Sequence, residues 1–178
     1  TVPRVDGTTF LCIGGTSRLS SVTTGGTWSS SDESIATVES DGDVIAQSAG
    51  QVAIYYTVTD ANGCSSTAIT TVTVYPIPTI EEITGTANVC VGSTTTFTTA
   101  TTGGTWSGTG VDALGNFDPA TATIGTNTIT YTVTNGSCTD TKTTNITVSQ
   151  TPDATITPQA PMCSADAAVT LTAATTGG

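Results

Sequence analysis

Two kinds of side chain in this sequence carry chemistry beyond packing: five cysteines and a scatter of carboxylates. The cysteines are Cys12, Cys64, Cys90, Cys138 and Cys163, and there is no histidine. Without histidine, neither a Ser-His-Asp nor a Cys-His arrangement can be assembled. No two cysteines have CxxC spacing, so a tetrahedral thiolate metal site is not indicated. Carboxylates are paired at Asp32-Glu33, Asp41/Asp43 and Glu81-Glu82. Acid–base catalysis needs such pairs to converge with other polar groups. Here they read as solvated surface, with Glu81-Glu82 beside a proline-marked linker. Asp41-Gly42-Asp43 and Asp60-Ala61-Asn62 offer oxygen atoms of the kind Ca²⁺ takes. Neither has EF-hand spacing and both are ordinary turn chemistry. No cofactor and no catalytic residue are therefore expected, Ca²⁺ being the only ion the residue types suggest.

The elements that position these side chains follow from composition. Threonine fills 45 of the 178 positions and charged residues only 10%. Threonine, valine and isoleucine are stiff at χ1 and suit a pleated, half-buried surface, so sheets are expected. The net charge of −11 sets 14 acids against Arg4, Arg18 and Lys142. Binding phosphates requires clustered cations, so neither nucleic acid nor an anionic membrane surface is an expected partner. No apolar run approaches the roughly 20 residues that span a bilayer as a helix, and membrane insertion is not expected.

The sequence repeats itself. TTGGTWS occurs at 23–29 and 101–107, and TTGG returns at 175–178. LCIGGT at 11–16 corresponds to VCVGST at 89–94, and YTVTDANGCSST at 56–67 to YTVTNGSCTDT at 131–141. A period of about 75 residues divides the chain into 1–77, 78–151 and the start of a third copy at 152–178. A sequence that stops inside its own motif is expected to be a slice of something longer. The segment 152–178 holds only the first strands of a domain, so it would pair with a neighbouring chain or continue beyond the slice.

The repeat gives the odd cysteine count a reading. Each whole copy carries two, which suggests Cys12 with Cys64 and Cys90 with Cys138. Cys163 corresponds to Cys12 and Cys90 and is expected to be unpaired within this slice. Such bonds imply an oxidising compartment, and each would stabilise its small domain by about 4 kcal/mol.

Within each copy, apolar residues alternate. Val52, Ile54, Tyr56 and Val58 share one face, as do Ile129, Tyr131 and Val133. Period two marks strands with one buried side. Phe97 is the apolar point of the run after Cys90, and residues 72–74 and 146–148 read as closing strands. Gly25-Gly26, Asn62-Gly63 and Asn135-Gly136 mark turns. Trp28 and Trp106 hold matching places on a middle strand, and with Tyr56 and Tyr131 they are the expected core aromatics. Many short strands with one central Trp predict an all-β fold of tandem immunoglobulin-like sandwiches. The linkers Tyr75-Pro76-Ile77-Pro78 and Gln150-Thr151-Pro152 would act as semi-rigid spacers, giving a beaded, extended arrangement.

Residues 28–54, with Trp28, Ser-Ser-Asp, Ala-Thr-Val and Ala-Gly before the next strand, resemble the bacterial Ig-like group 2 pattern. The VCxGxT, TTGGTWS and YTVTxxxGC motifs resemble repeats of giant surface proteins secreted by Bacteroidetes, gliding-motility adhesins among them. The second copy departs from the pattern over 106–125, which reads as a divergent middle region on the same frame. The resemblance implies an extracellular, cell-surface location and a stalk or filament role in adhesion, and it carries over no catalytic residue. Partners would be neighbouring repeats of the same chain or other copies in a filament. The alternatives are a module that binds a surface glycan or protein, and an accessory region of a large secreted enzyme.

Overall fold

The computed structural model describes residues 4–156 and 173–176. The described residues form strands and turns without a helix, and they cluster into two units. The first comprises 4–81, 101–104 and 132–141, the second 82–100, 105–131, 142–156 and 173–176.

In chain order the first unit contains β1 (Val5–Asp6), β2 (Phe10–Cys12), β3 (Thr16–Arg18), β4 (Ser20–Ser21), β5 (Thr27–Ser30), β6 (Ala36–Val38), β7 (Asp43–Ala46), β8 (Gly50–Thr59) and β9 (Ser65–Tyr75). Four of them form the sheet β2-β9-β8-β5, three the sheet β3-β7-β6, and β1 pairs with β4. The long hairpin β8–β9 keeps one register from Gly50↔Val74 to Thr59↔Ser65. Along β8, Val52, Ile54 and Tyr56 are buried while the alternate residues are not, as the period-two pattern requires. β2 runs parallel to β9, with Cys12 opposite Tyr75. Both sheets supply the core: Leu11, Val52, Ile54, Val72 and Val74 from one, Ala36, Val44 and Ala46 from the other, with Leu19 between.

The second unit contains β10 (Asn88–Cys90), β11 (Thr95–Thr96), β12 (Thr105–Ser107), β13 (Asn116–Phe117), β14 (Gly125–Asn135), β15 (Cys138–Ser149), β16 (Asp153–Ile156) and β17 (Ala173–Thr176). The hairpin end of β14–β15, residues 132–141, counts with the first unit. The main sheet is β10-β15-β14-β12, and two smaller pairs are β11-β13 and β16-β17. β10 runs parallel to β15, with Cys90 opposite Ser149. The buried core is Ile83, Val89, Phe97, Phe117, Ile129, Tyr131, Ile146 and Val148. This is an all-β, immunoglobulin-like fold.

The TTGG motif is a structural device. The Tyr56 hydroxyl donates to the Thr23 carbonyl at 2.7 Å and accepts the Gly26 N–H at 2.9 Å. A Cβ on Gly26 would enter the Tyr56 ring. Trp28 and Trp106 are half-buried rather than enclosed plugs. Each lies against its tyrosine, with centroids 4.5 Å apart for Trp28–Tyr56 and 4.6 Å for Trp106–Tyr131. Tyr56 and Tyr131 are buried.

Candidate functional site

The reactive groups concentrate at the two ends of the long hairpins. Cys12 closes β2 level with Tyr75, the last residue of β9. Cys64 immediately precedes Ser65, the first residue of the same strand. An 11-residue strand is about 35 Å long, whereas bridged cysteines need Cα atoms within about 7 Å. The pairing of Cys12 with Cys64 expected from the repeat therefore does not form. Cys90 and Cys138 are kept apart in the same way, since Cys90 lies opposite Ser149 and Cys138 begins the 12-residue β15.

The disulfide that forms is Cys12–Cys138, with Cα atoms 5.6 Å apart and 126 residues of separation. It links the first-strand cysteine of one sequence repeat to the hairpin cysteine of the next. Cys138 is buried, and its Sγ lies 3.8 Å from the Tyr75 carbonyl oxygen. That approach is a contact, because a disulfide sulfur carries no proton to donate. Beside it the Asn135 side-chain amide donates to the Pro76 carbonyl. Gly136 sits over Tyr75 at φ +61°, where a Cβ would stand 2.6 Å from the ring. Among the described residues Cys64 and Cys90 form no disulfide, and both are exposed. Cys163 lies outside the described residues.

Tyr75, expected in the linker, is the last residue of β9, and Gly136, expected in a turn, packs against it; their place beside the disulfide is not apparent from the sequence. Their signal was an aromatic directly before the proline linker and a glycine in the turn beside a cysteine. The deciding fact, that Tyr75 and Cys12 are in register, belongs to the parallel pairing of β2 with β9.

The carboxylates are engaged locally. The Arg18 guanidinium lies 3.0 Å from Asp41 Oδ2 and 3.1 Å from Asp43 Oδ1. The Asp43 N–H, helped by Arg18, holds Asp41 below the usual carboxylate pKa against slight desolvation. Asp60 Oδ1 accepts the N–H groups of Asn62 and Cys64, both at 2.9 Å, and so closes the β8–β9 turn. Asp32 is held low by the Ser34 hydroxyl and N–H, and Asp112 by the side chain and N–H of Asn116. Glu82 pairs with Lys142 at 3.3 Å. Among the described residues no three His, Cys, Asp or Glu side chains converge on a metal-sized space. A groove of about 440 Å³ in the second unit is lined by Thr94–Thr96, Asp112, Asn116, Phe117 and Asp118. Asp112 there is already bonded to the N–H groups of Leu114 and Asn116.

Residues 16–70 match the family model of the bacterial Ig-like domain (group 2), a stretch wholly within the first sequence repeat. No curated protein matches the chain. Among solved structures it is similar to an intimin mutant of EHEC O157:H7, at 18% identity and TM-score 0.32, over 45% of this chain and 51% of that one. It is similar to surface layer protein SbsC, domains 1–6, at 14% identity and TM-score 0.42, over 88% of this chain and 30% of that one. Murine CEACAM1b matches at 12% identity and TM-score 0.43, over 82% of this chain and 100% of that one. The chain thus spans about half of the intimin structure and under a third of the SbsC structure.

Proposed function

We propose that this chain is a non-catalytic structural segment of an extracellular, cell-surface repeat protein, a stalk or filament made of Ig-like units. The observation that carries this reading is the Cys12–Cys138 bond. A structural disulfide of this kind belongs to an oxidising compartment. It joins positions 126 residues apart, one in each sequence repeat, as a cross-link in a stalk would. The match of residues 16–70 to a bacterial Ig-like domain supports a bacterial surface protein. The lack of histidine removes most acid–base and nucleophilic constellations. Tyr56, Tyr131, Phe97 and Phe117 are buried and Trp28, Tyr55, Tyr75 and Trp106 half-buried, so Phe10, stacked on Tyr75, is the one fully exposed aromatic among the described residues. A glycan platform needs more than that.

The test is surface labelling of intact source cells with an antibody against the chain, paired with a glycan-array screen. The reading expects labelling without permeabilisation, loss of label on protease shaving, and no saturable glycan binding. Labelling only after permeabilisation would overturn the location. Saturable binding to one glycan class would replace the stalk with a binding module.

A further inference from the structure

Two hairpin turns of this chain carry the pair Asn-Gly: Asn62-Gly63 between β8 and β9, and Asn135-Gly136 where β14 returns as β15. The pair suits tight turns because glycine takes the positive φ needed there, +83° at Gly63 and +61° at Gly136. It also carries a reaction. The side-chain carbonyl carbon of an asparagine can close a five-membered ring with the next backbone nitrogen. A glycine at that place has no side chain to shield the nitrogen. The two pairs are identical in sequence but held differently.

Asn62-Gly63 is held by its own turn. Residues 60–64 lie outside both strands. Asp60 Oδ1 accepts the Asn62 and Cys64 N–H groups, and the Asp60 carbonyl accepts the Gly63 N–H at 3.0 Å. The Asn62 side chain is exposed and makes no hydrogen bond among the described residues. Nothing stands within 4 Å of where a Gly63 Cβ would be.

Asn135-Gly136 is fastened to residues distant in sequence. The Asn135 side-chain amide donates to the Pro76 carbonyl at 3.5 Å. A Cβ on Gly136 would stand 2.6 Å from the Tyr75 ring. Cys138, two residues on, is buried and bonded to Cys12. Ring closure at Asn62 requires the Gly63 nitrogen to leave Asp60, which breaks one bond inside the turn. Ring closure at Asn135 requires its peptide to rotate against Tyr75, at a hairpin end that the disulfide fixes. A short unanchored turn opens far more often than an anchored one. The fastening at Asn135 therefore outweighs the single bond at Gly63.

We propose that Asn62 is a self-modifying site, converting to aspartate and isoaspartate in the folded protein, and that Tyr75 and Pro76 protect Asn135 from the same reaction. The Gly63 N–H gives its proton to hydroxide, and the nitrogen attacks Asn62 Cγ. A carbon–nitrogen bond forms, the bond to the side-chain nitrogen breaks, and ammonia leaves with a proton from water. Water then opens the cyclic imide at either carbonyl. Overall one water is consumed and one ammonia released, with no change of oxidation state. Both products place a new negative charge beside Asp60. In isoaspartate the main chain gains a carbon between residues 62 and 63, which displaces the Gly63 and Cys64 N–H groups from Asp60. The turn that closes the β8–β9 hairpin thus loosens as the protein ages. The inference holds independently of the surface role proposed above.

The experiment keeps the full native chain in mildly alkaline heavy-oxygen water, beside a reduced and unfolded sample, until the unfolded sample has converted. Peptide mapping by mass spectrometry reads heavy-oxygen uptake and isoaspartate at each site. The unfolded sample gives the rate that sequence alone sets for each asparagine. Relative to those rates, Asn62 in the native chain should convert about tenfold faster than Asn135, a barrier difference of about 1.4 kcal/mol. Tyr75→Ala, with the Cys12–Cys138 bond as its folding check, should raise the Asn135 rate and leave Asn62 unchanged. Reducing that bond under native conditions should do the same if the variant does not fold. Native rates that are equal or reversed would overturn the proposal. So would an Asn62 that stays intact in the native chain, or an Asn135 that stays slow once released.

Discussion

The middle regions of the two sequence repeats solve one packing problem with different residues. Leu19 and Phe97 occupy equivalent places, since each N–H donates at 2.8 Å to the carbonyl of a turn glycine, Gly42 or Gly115. Each glycine also faces the repeat's Trp, with positive φ of +92° and +88°. Around Leu19 the first repeat builds a three-stranded sheet with Val44 and Ala46. Around Phe97 the second has only the short β11–β13 pair, and Phe117 meets Phe97 edge-on with centroids 6.1 Å apart. Two large rings do what several aliphatics and a third strand do elsewhere. The frame is held by the hairpin, the Trp and the turn glycine, and what fills it is negotiable.

The largest effect tests what the two repeats share. Cys12→Ser or Cys138→Ser should cost about 5 kcal/mol on the chain-entropy account of a long loop, whereas Cys64→Ser and Cys90→Ser should be close to neutral. Denaturant titration of the four variants separates the bonded pair from its free equivalents. Next, Phe97→Ala should cost about 4 kcal/mol and Leu19→Ala about 3. The ranking follows from how much of each core the residue supplies, and equal costs would mean the second repeat relaxes around the lost ring. A third pair, Gly42→Ala and Gly115→Ala, should each lose about 2 kcal/mol. Both meet a backbone carbonyl at positive φ, so similar losses would confirm a common frame and a single tolerant site would break the equivalence.

The smallest effect is acid sensitivity. Asp32 and Asp41 in the first repeat and Asp112 in the second are held below their usual value of 3.8. A lowered folded pKa contributes stability that is fully present above the unfolded value and is lost as pH falls below it. Denaturation midpoints should therefore drop below about pH 4. Asp112→Asn should flatten only the part owed to the second repeat.

Much of this was legible beforehand. Alternation along 52–58 and 128–133 gave β8 and β14 and the burial of Ile54, Tyr56, Ile129 and Tyr131. Phe97 stood out as the apolar point of its run and is buried. The cysteine pairing was misread because sequence order puts Cys12 and Cys64 in one repeat, while the length of β9 puts them at its opposite ends. Burial is written in local period, but a cross-link depends on register over a whole strand. The half-buried state of Trp28 was illegible for a related reason, since it depends on the place of the short β5 at the edge of its sheet.

The Cys12–Cys138 bond also has a mechanical meaning. Tension applied between the chain's ends would pass from residue 12 to residue 138 through two sulfur atoms. The residues enclosed between them, a separation of 126, would bear little of it, and their unfolding would add no contour length. Reduction would return that slack, up to about 450 Å at roughly 3.6 Å per residue. The bond thus sets whether the segment behaves under load as a short inextensible link or as a long compliant one, and a change in redox state moves it from the first to the second.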